Sequence, residues 1–446
     1  MLLMHFHLKL RWPTLLLAVC LAPVTQATEL QTRSANRLNK SASTSLMEST
    51  HPVVALARNE AVKQALAQNF NFLALKRQVD VAYAQREQAD GFESPRIFWE
   101  FEEANRSNAS GIGSQIVGIE QSFEWFGVRN ARKHVADLGI EATQAFVERG
   151  RLRLTARVLK TYDRVLLTEA KQRLMERMVS LNSEAVDITR TRFKASEDQY
   201  VDLMRTRLRR NQLQNELLEV QTSAAGTRRI LNRLLGQENK RVQLMDELSY
   251  EPLLQQDEHW LQRLDQEGPT FVLLERRIRQ SEGRLNIARQ GQFPEITLGI
   301  GQQRLNDGIN REDAWAGQLS FKFPLPGSDR QSGIEAEALA QRYAATDQAQ
   351  AQRIEARSLY SQSLKVAHTL DNQLQDYKSV ILLDAEDQLK AARQAYRVGR
   401  IDALNLLDVY TTYSEVQQNY LETLVRYRAA VIDLQTLGEE LWEVEL

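Results

Sequence analysis

The side chains of this chain that could do chemistry are mostly carboxylates, and they occur in two settings. Glu197, Asp198 and Asp402 fall in short breaks between helical patterns. A second group alternates with apolar residues in strand-like segments, namely Glu100, Glu102, Glu120 and Glu124. Acidic groups that line a pore favour the passage of cations. The two aspartates also suit helix capping, so Glu197 is the better candidate for a pore-facing role.

No catalytic, cofactor or metal-binding motif accompanies these carboxylates. The histidines outside the first 27 residues are scattered with no pair at ligand spacing, namely His51, His134, His259 and His368. Arrangements such as HExxH, a P-loop or G-x-S-x-G are absent from the sequence. A formal net charge of -1 gives no electrostatic reason for a nucleic-acid partner. We therefore expect no enzyme, no cofactor and no bound metal.

The first 27 residues predict a secretory signal peptide. A basic start with Lys9 and Arg11 is followed by an apolar run and a small-residue site ending at Ala27. The only cysteine, Cys20, lies in Leu-Ala-Val-Cys, which loosely resembles a lipoprotein signal, so its lipidation stays open. Cleavage after Ala27 would leave no cysteine, and stability would then depend on packing or oligomerisation.

The segment from Gln394 to Leu437 predicts two helices joined by a turn at Gly399, with Asp402 capping the second helix. Large side chains recur in it every seven residues, as in a coiled coil: Leu406, Tyr413, Tyr420, Tyr427 and Leu434. A weaker copy lies 203 residues earlier and aligns Phe193 with Tyr396. The chain is therefore predicted to be a duplicated helical hairpin.

Two strands precede each hairpin. Apolar residues alternate with polar ones around Trp99, Ile119, Leu298 and Phe321, in strands of about ten residues, the length that spans a bilayer when tilted. Four strands cannot close a barrel, and lipid does not tolerate an open sheet edge. Several copies must therefore pool their strands, and three copies would give twelve.

These patterns predict a fold that is mainly α with a small β part and an internal duplication. Long antiparallel coiled-coil helices would form a periplasmic α-barrel, and four strands per chain would contribute to a trimeric outer-membrane β-barrel. After the first turn the returning helix is only half as long as the outgoing one. We expect it to lie end to end with the helix that follows the collar described next.

The predicted boundaries follow the same duplication. They are a signal peptide (1–27), a polar segment (28–52), a first repeat (53–236), an equatorial collar (237–267), a second repeat (268–438) and a tail (439–446). The first repeat contains a strand pair (94–126), a long helix (128–193) and a helix (199–236). The second contains a strand pair (293–325), a long helix (331–398) and a helix (402–438).

The sequence from Ala395 to Asp408, AYRVGRIDALNLLD, resembles the second periplasmic helix turn of the TolC family of outer-membrane channels. Two strand exits, EWFGVRNAR from Glu124 and FPLPGSDRQSG from Phe323, are similar to its CzcC-like branch for heavy-metal efflux. The resemblance covers essentially the whole mature chain. It implies a homotrimer in outer-membrane lipid, docked on a periplasmic adaptor and an inner-membrane pump of the resistance-nodulation-division type.

The resemblance also implies which residues form the periplasmic aperture and meet the adaptor. They are Lys194, Ser196, Glu197 and Asp198 in the first turn, and Val398, Gly399, Arg400 and Asp402 in the second. The first turn has Ser196 where the second has Gly399, which puts equivalent docking of the two repeats in doubt. The four strand carboxylates would face the barrel lumen.

The function predicted from these observations is a passive outer-membrane exit duct in a tripartite efflux system. Heavy-metal cations of the cobalt, zinc and cadmium type are the favoured substrate. A multidrug efflux or type I secretion channel is an alternative substrate class. A soluble periplasmic coiled-coil scaffold is the alternative from another class of protein.

Overall fold

The computed structural model describes residues 54–106, 109–195, 200–237, 242–253, 268–306, 311–323 and 329–438. The predicted signal peptide, polar segment and tail lie outside these residues, as does much of the predicted collar. The same holds for Ser196, Glu197 and Asp198 of the first turn.

The described elements follow one another in the order that the duplication predicts. They are β1 (Val54–Leu56), α1 (Arg58–Gln68), α2 (Phe70–Asp90), β2 (Arg96–Arg106), β3 (Ala109–Phe123), α3 (Val128–Ala195), α4 (Tyr200–Leu234), β4 (Val242–Leu244), α5 (Pro269–Gln290), β5 (Glu295–Asn306), β6 (Arg311–Lys322), α6 (Asp329–Asp376), a π-helix (Tyr377–Ile381), α7 (Leu382–Arg397) and α8 (Ala403–Leu437). A helix, two strands, a long helix and a returning helix occur twice. The predicted mainly helical class with a small β part is confirmed.

Four strands form one antiparallel sheet in the order β2-β3-β5-β6. The two repeats join where β3 pairs with β5, and Ile119 stands between Ile97 of β2 and Ile300 of β5. β2 and β6 are the outer strands, so among the described residues each leaves one backbone edge unpaired. A short parallel pair of β1 and β4 forms a separate small sheet.

The helices lie side by side in one layer. α3 contacts α4 through Glu169 and Arg228, which lie 2.7 Å apart. On its other side α3 meets α8, where Lys160 pairs with Asp433, and nearer the strands it meets α5, where Glu141 and Arg276 lie 2.9 Å apart. α6 and α7 flank α5 and α8 on the far side. Among the described residues, no helix combines the length and the apolar character needed to cross a membrane.

The expectation that α4 lies end to end with α5 is wrong, because α4 ends against the start of α2. Asn69 caps both helices: its Oδ1 accepts from Phe72 N at 3.1 Å, and its Nδ2 donates to Leu234 O at 3.0 Å. Gly236 follows α4 with φ 71°, and a Cβ there would collide with Gln68 O. The helix lengths could not reveal this, since α2 has 21 residues and α5 has 22.

The second long helix is interrupted by the π-helix, which the sequence analysis missed. Buried residues recur every seven positions at Tyr360, Ala367 and Leu374 and again at Leu389 and Tyr396. The step from Leu374 to Leu389 is one residue longer than two heptads. The π-helix absorbs this extra residue, because Leu382 N–H bonds to Tyr377 O five positions back. The buried seam therefore stays on one side of the helix.

Residues 54–68 and 242–253 cross one side of the helical layer, which we call the belt face. Asp163 of α3, with 1% of its side chain exposed, lies 3.2 Å from Arg58 and 3.0 Å from Arg428 of α8. Tyr427 donates to Glu251 O at 2.9 Å on the same side. Breaking a buried ion pair leaves an uncompensated charge, so this cluster fixes the belt segments to α3 and α8.

Candidate functional site

The described helix turn, between α7 and α8, is closed by backbone hydrogen bonds. Arg400 N donates to Ala395 O at 2.9 Å and Gly399 N donates to Tyr396 O at 3.1 Å, which is a Schellman motif. Gly399 has φ 80°, a conformation that costs a residue with a Cβ about 1 kcal/mol. Asp402 caps α8 by accepting from Asn405 N at 2.9 Å. Gly399 and Asp402 therefore shape the turn.

The end of α3 packs directly on this turn, so the two hairpin ends are neighbours. The Arg192 guanidinium carbon lies 4.5 Å from the centre of the Tyr396 ring, and Arg192 also donates to Tyr396 O. The Tyr396 hydroxyl is hydrogen-bonded to Thr189. Burial of this tyrosine raises the pKa of its hydroxyl. These contacts hold α7 against α3 next to the turn.

One carboxylate joins the same helices a little further from the turn. Glu184 of α3 accepts from Arg397 and, at 2.7 Å, from Arg393 of α7. The hydrogen bond from Arg397 lowers the pKa of Glu184, so this carboxylate is ionised at neutral pH. Burial raises the pKa of the neighbouring Tyr410 to about 12. The turn therefore lies next to an ion-paired carboxylate that joins α3 to α7, and next to a neutral, buried tyrosine.

All five proposed aperture residues that the structure describes are exposed at this end of the helices. Lys194 lies in the last turn of α3, Val398 has 58% of its surface exposed, and Arg400 follows Gly399 in the turn. Arg192, Thr189 and Glu184 lie outside the predicted set although they hold the turn in place. A helical spacing at 185, 189 and 192 on the α3 seam was the signal that could have found two of them.

One face of the four-stranded sheet is apolar, and the described residues leave it uncovered. Apolar rows run across the sheet, for example Phe123, Ile296 and Phe321, or Ile97, Ile119 and Ile300. Ile97 is 78% exposed and Trp315 is 80% exposed, and these strand side chains do not pack on the helices. An exposed apolar surface of this size marks a contact with lipid or with another protein.

The opposite face carries most of the predicted lumen carboxylates. Glu100 and Glu102 of β2 are exposed there, and Glu120 lies 3.2 Å from Arg96 on the neighbouring strand. Glu124 follows the last residue of β3 and pairs with Arg132 of α3, which places it at the junction with the helices. Within the described residues, no group of three or more His, Cys, Asp or Glu side chains could hold a metal ion.

Comparison with known proteins identifies relatives of this chain. The family described as Outer membrane efflux protein matches residues 260–438. The chain is 25% identical to the cobalt-zinc-cadmium resistance protein CzcC of Cupriavidus metallidurans over 388 residues, covering 86% of this chain and 90% of CzcC.

Solved structures share the fold at lower identity. Crystal structures of CusC, reported in connection with transmembrane channel formation, match with TM-score 0.71 and 18% identity, covering 85% of this chain and 91% of CusC. The open state of the MtrE outer membrane channel of Neisseria gonorrhoeae matches with TM-score 0.69 and 16% identity, covering 85% of this chain and 88% of MtrE.

Replacement of Gly399 tests whether the turn depends on its left-handed backbone. We expect Gly399→Ala to cost about 1 kcal/mol locally, which speeds hydrogen exchange of the amides at 399 and 400 about fivefold. Gly226→Ala is the matched control, because Gly226 lies within α4 and a Cβ there meets no atom within 4 Å. It should instead stabilise α4 by about 0.5 to 1 kcal/mol. Unchanged exchange at 399 and 400 would show that the turn tolerates a Cβ.

Proposed function

This chain belongs to the outer membrane efflux protein family, as its resemblance to the TolC family predicted, and on that premise we propose that it forms an outer-membrane exit duct. Three copies would pool their strands into a barrel and their helices into a periplasmic tube. An inner-membrane pump and a periplasmic adaptor would deliver the substrate. The duct itself would supply no energy.

The uncovered apolar face of the sheet is the observation that carries this proposal. Its strands have unpaired outer edges, and an exposed edge beside apolar side chains is a site for pairing with another chain. Lipid would cover the apolar face and neighbouring copies would cover the edges. The face with Glu100 and Glu102 would then line a water-filled lumen.

The helical layer supports the same arrangement. β2, α2 and α4 lie at one lateral edge of the chain, and β6, α6 and α7 lie at the other. Both helical edges expose large apolar side chains, including Leu208 and Leu218 on α4 and Ile354 and Leu383 on α6 and α7. A contact between unlike edges repeats from copy to copy and closes into a ring. Three copies would give twelve strands, within the range of membrane barrels.

The two helix turns would form the periplasmic aperture and meet the adaptor. The described turn supports this role, because Val398 and Leu404 are exposed apolar residues at the tip of the layer. Glu197 would point its carboxylate into the aperture and, repeated in each copy, would favour cations. The first turn has Ser196 in place of Gly399, so the two turns would contact the adaptor differently.

We propose metal cations as the substrate because CzcC, a cobalt-zinc-cadmium resistance protein, is similar to this chain over most of its length. The absence of a metal-holding group in the described residues does not oppose this, since a duct need not bind what it passes. Drug efflux and type I protein secretion are the alternatives, and the gene-deletion experiment below separates drug efflux from metal efflux.

Disulfide trapping tests the ring. The only cysteine, Cys20, falls in the predicted signal peptide. Disulfides between introduced cysteines can therefore be detected without interference from native cysteines. We would combine Ile97→Cys on β2 in turn with Trp315→Cys, Gly317→Cys and Leu319→Cys on β6. Within one chain these strands are three spacings apart, about 14 Å, too far for a disulfide. We expect oxidation to give covalent dimers and trimers on denaturing gels for at least one pair.

The control for disulfide trapping is Ile119→Cys with Ile300→Cys, which are directly paired within one chain. This variant should keep the mass of a single chain after oxidation. If every β2 and β6 pair also remained a single chain, the proposed ring would be rejected.

Loss of the gene tests the substrate. Deletion should sensitise cells to cobalt, zinc or cadmium, because the exported ion would accumulate behind a missing duct, while growth on dyes and detergents stays unchanged. The measurement is the minimal inhibitory concentration of each compound with and without a plasmid copy. Sensitivity to dyes and detergents alone would favour drug efflux instead.

Glu197→Gln tests the aperture. Removal of one negative charge per copy should reduce the cation preference of single channels in planar bilayers, seen as a shift of the reversal potential in a salt gradient. Glu219→Gln on α4 removes the same charge away from the turn and should leave the reversal potential unchanged. Identical reversal potentials for the wild type and Glu197→Gln would remove Glu197 from the aperture.

A further inference from the structure

A cleft of about 580 Å³ lies where α2 begins, beside α3 and the end of α8. One helical face of α3 supplies four basic side chains to it, namely Arg153, Arg157, Lys160 and Arg164. None of the described residues that line the cleft is acidic. From this geometry, and from the proposed channel on which the idea rests, we infer that the cleft binds organic anions in the bore.

The positive charge in the cleft is largely uncompensated. Lys160 pairs with Asp433 of α8. Across the part of the chain that the structure describes, no carboxylate forms an ion pair with Arg153, Arg157 or Arg164, and all three are exposed. Like charges one and two turns apart on a helix repel one another, so an anion placed among them relieves repulsion as well as gaining attraction.

The N-terminal end of α2 adds to this positive field. Asn69 and Asn71 line the cleft at the positive, N-terminal end of α2, where anions bind favourably. The negative end of α4 faces the same place, but its carbonyls already have donors. Leu234 O accepts from Asn69 Nδ2, and the oxygens of residues 232 and 233 accept backbone N–H groups at 2.9 and 3.2 Å. The carbonyl oxygens of residues 232 to 234 at the end of α4 are therefore already hydrogen-bonded within the chain.

Apolar side chains complete the lining of the cleft. They are Phe72 and Leu75 of α2 and Leu154 of α3. A small inorganic anion would contact only the arginines, whereas an organic anion could also bury its apolar body against Phe72 and Leu75. The chemical class that fits is an aromatic or aliphatic compound with a sulfonate or carboxylate group.

The cleft lies on the side of the layer opposite the belt face. Tyr162 and Asp163 point from α3 to the belt segments, and the mean direction of Arg153, Arg157 and Arg164 is about 140° to 150° around the helix from theirs. Twelve helices about 10 Å apart enclose an axis radius of about 19 Å, so three sets of belt segments would obstruct the interior. The belt face is therefore outside and the arginines face the bore.

Three such clefts would form a positive band at the middle of the tube. Metal that leaves as a bare divalent cation would be repelled there, while metal bound to anionic ligands would be attracted. The band thus favours cargo that travels with organic anions.

The test uses the full mature protein in detergent and 2-naphthalenesulfonate as the probe, with neutral 2-naphthol as the control ligand. Calorimetric titration should show binding of the sulfonate and at least about tenfold weaker binding in Arg157→Glu. Arg229→Glu makes the same charge change beside β4 on the belt face and should bind like the wild type. In planar bilayers the sulfonate should block wild-type and Arg229→Glu channels but not Arg157→Glu channels.

Several results would overturn the inference. Equal affinity of Arg157→Glu and the wild type would place the site elsewhere. Residues 439–446, with the sequence EELWEVEL, carry four glutamates. Binding of the sulfonate that appears only after removal of these residues would show that this segment of the chain, and not an organic anion, is the occupant of the cleft. Normal channels that the sulfonate does not block would leave the proposed duct intact and reject the bore site. Absence of any channel would reject the duct and the bore site together.

Discussion

The structure depends on one constraint, namely that a four-stranded sheet presents an apolar face that the described part of its own chain does not cover. Burial of such a face is worth about 25 cal/mol per Å², so it must meet lipid or protein. The unpaired edges of β2 and β6 impose a second condition, because backbone groups in lipid need partners. Both conditions are met together when copies of the chain join edge to edge in a membrane.

The helical layer obeys the same lateral order as the sheet. Short helices stack in line, α4 on α2, and the end of α8 lies beside the start of α5. A long helix can therefore pack along its whole length against two short ones. Asn69 and Gly236 make one such joint possible, since the amide serves both helix ends and the glycine permits close approach. Two short helices stacked in line therefore act as one continuous helix below the sheet, although they come from separate segments of the chain.

Much of the fold could be predicted from the sequence because it follows from two periodicities, the alternation of apolar residues in the strands and the seven-residue repeat in the helices. Alternation in the strands fixed the apolar face through residues such as Ile97 and Ile119, and the heptads around Tyr413 and Tyr427 marked the buried side of α8. Features that depend on contacts between distant segments could not be predicted. Examples are the joint at Asn69, the pairing of Glu124 with Arg132, and the π-helix that corrects the seam after Leu374.

The basic cleft could not be predicted from the sequence for a different reason. Its arginines follow helical spacing, but Phe72, Leu75 and the helix end that complete the cleft come from α2, far away in sequence. Sequence alone also could not separate a solvated face from a binding face, because that depends on where the belt segments lie.

Tryptophan quenching tests most directly whether the apolar sheet face meets lipid. A variant that keeps only Trp315 would be reconstituted in vesicles of lipids brominated on their acyl chains. We expect strong quenching of Trp315 by the brominated lipid and little quenching by acrylamide in the water. Full quenching by acrylamide with none by the brominated lipid would contradict this expectation.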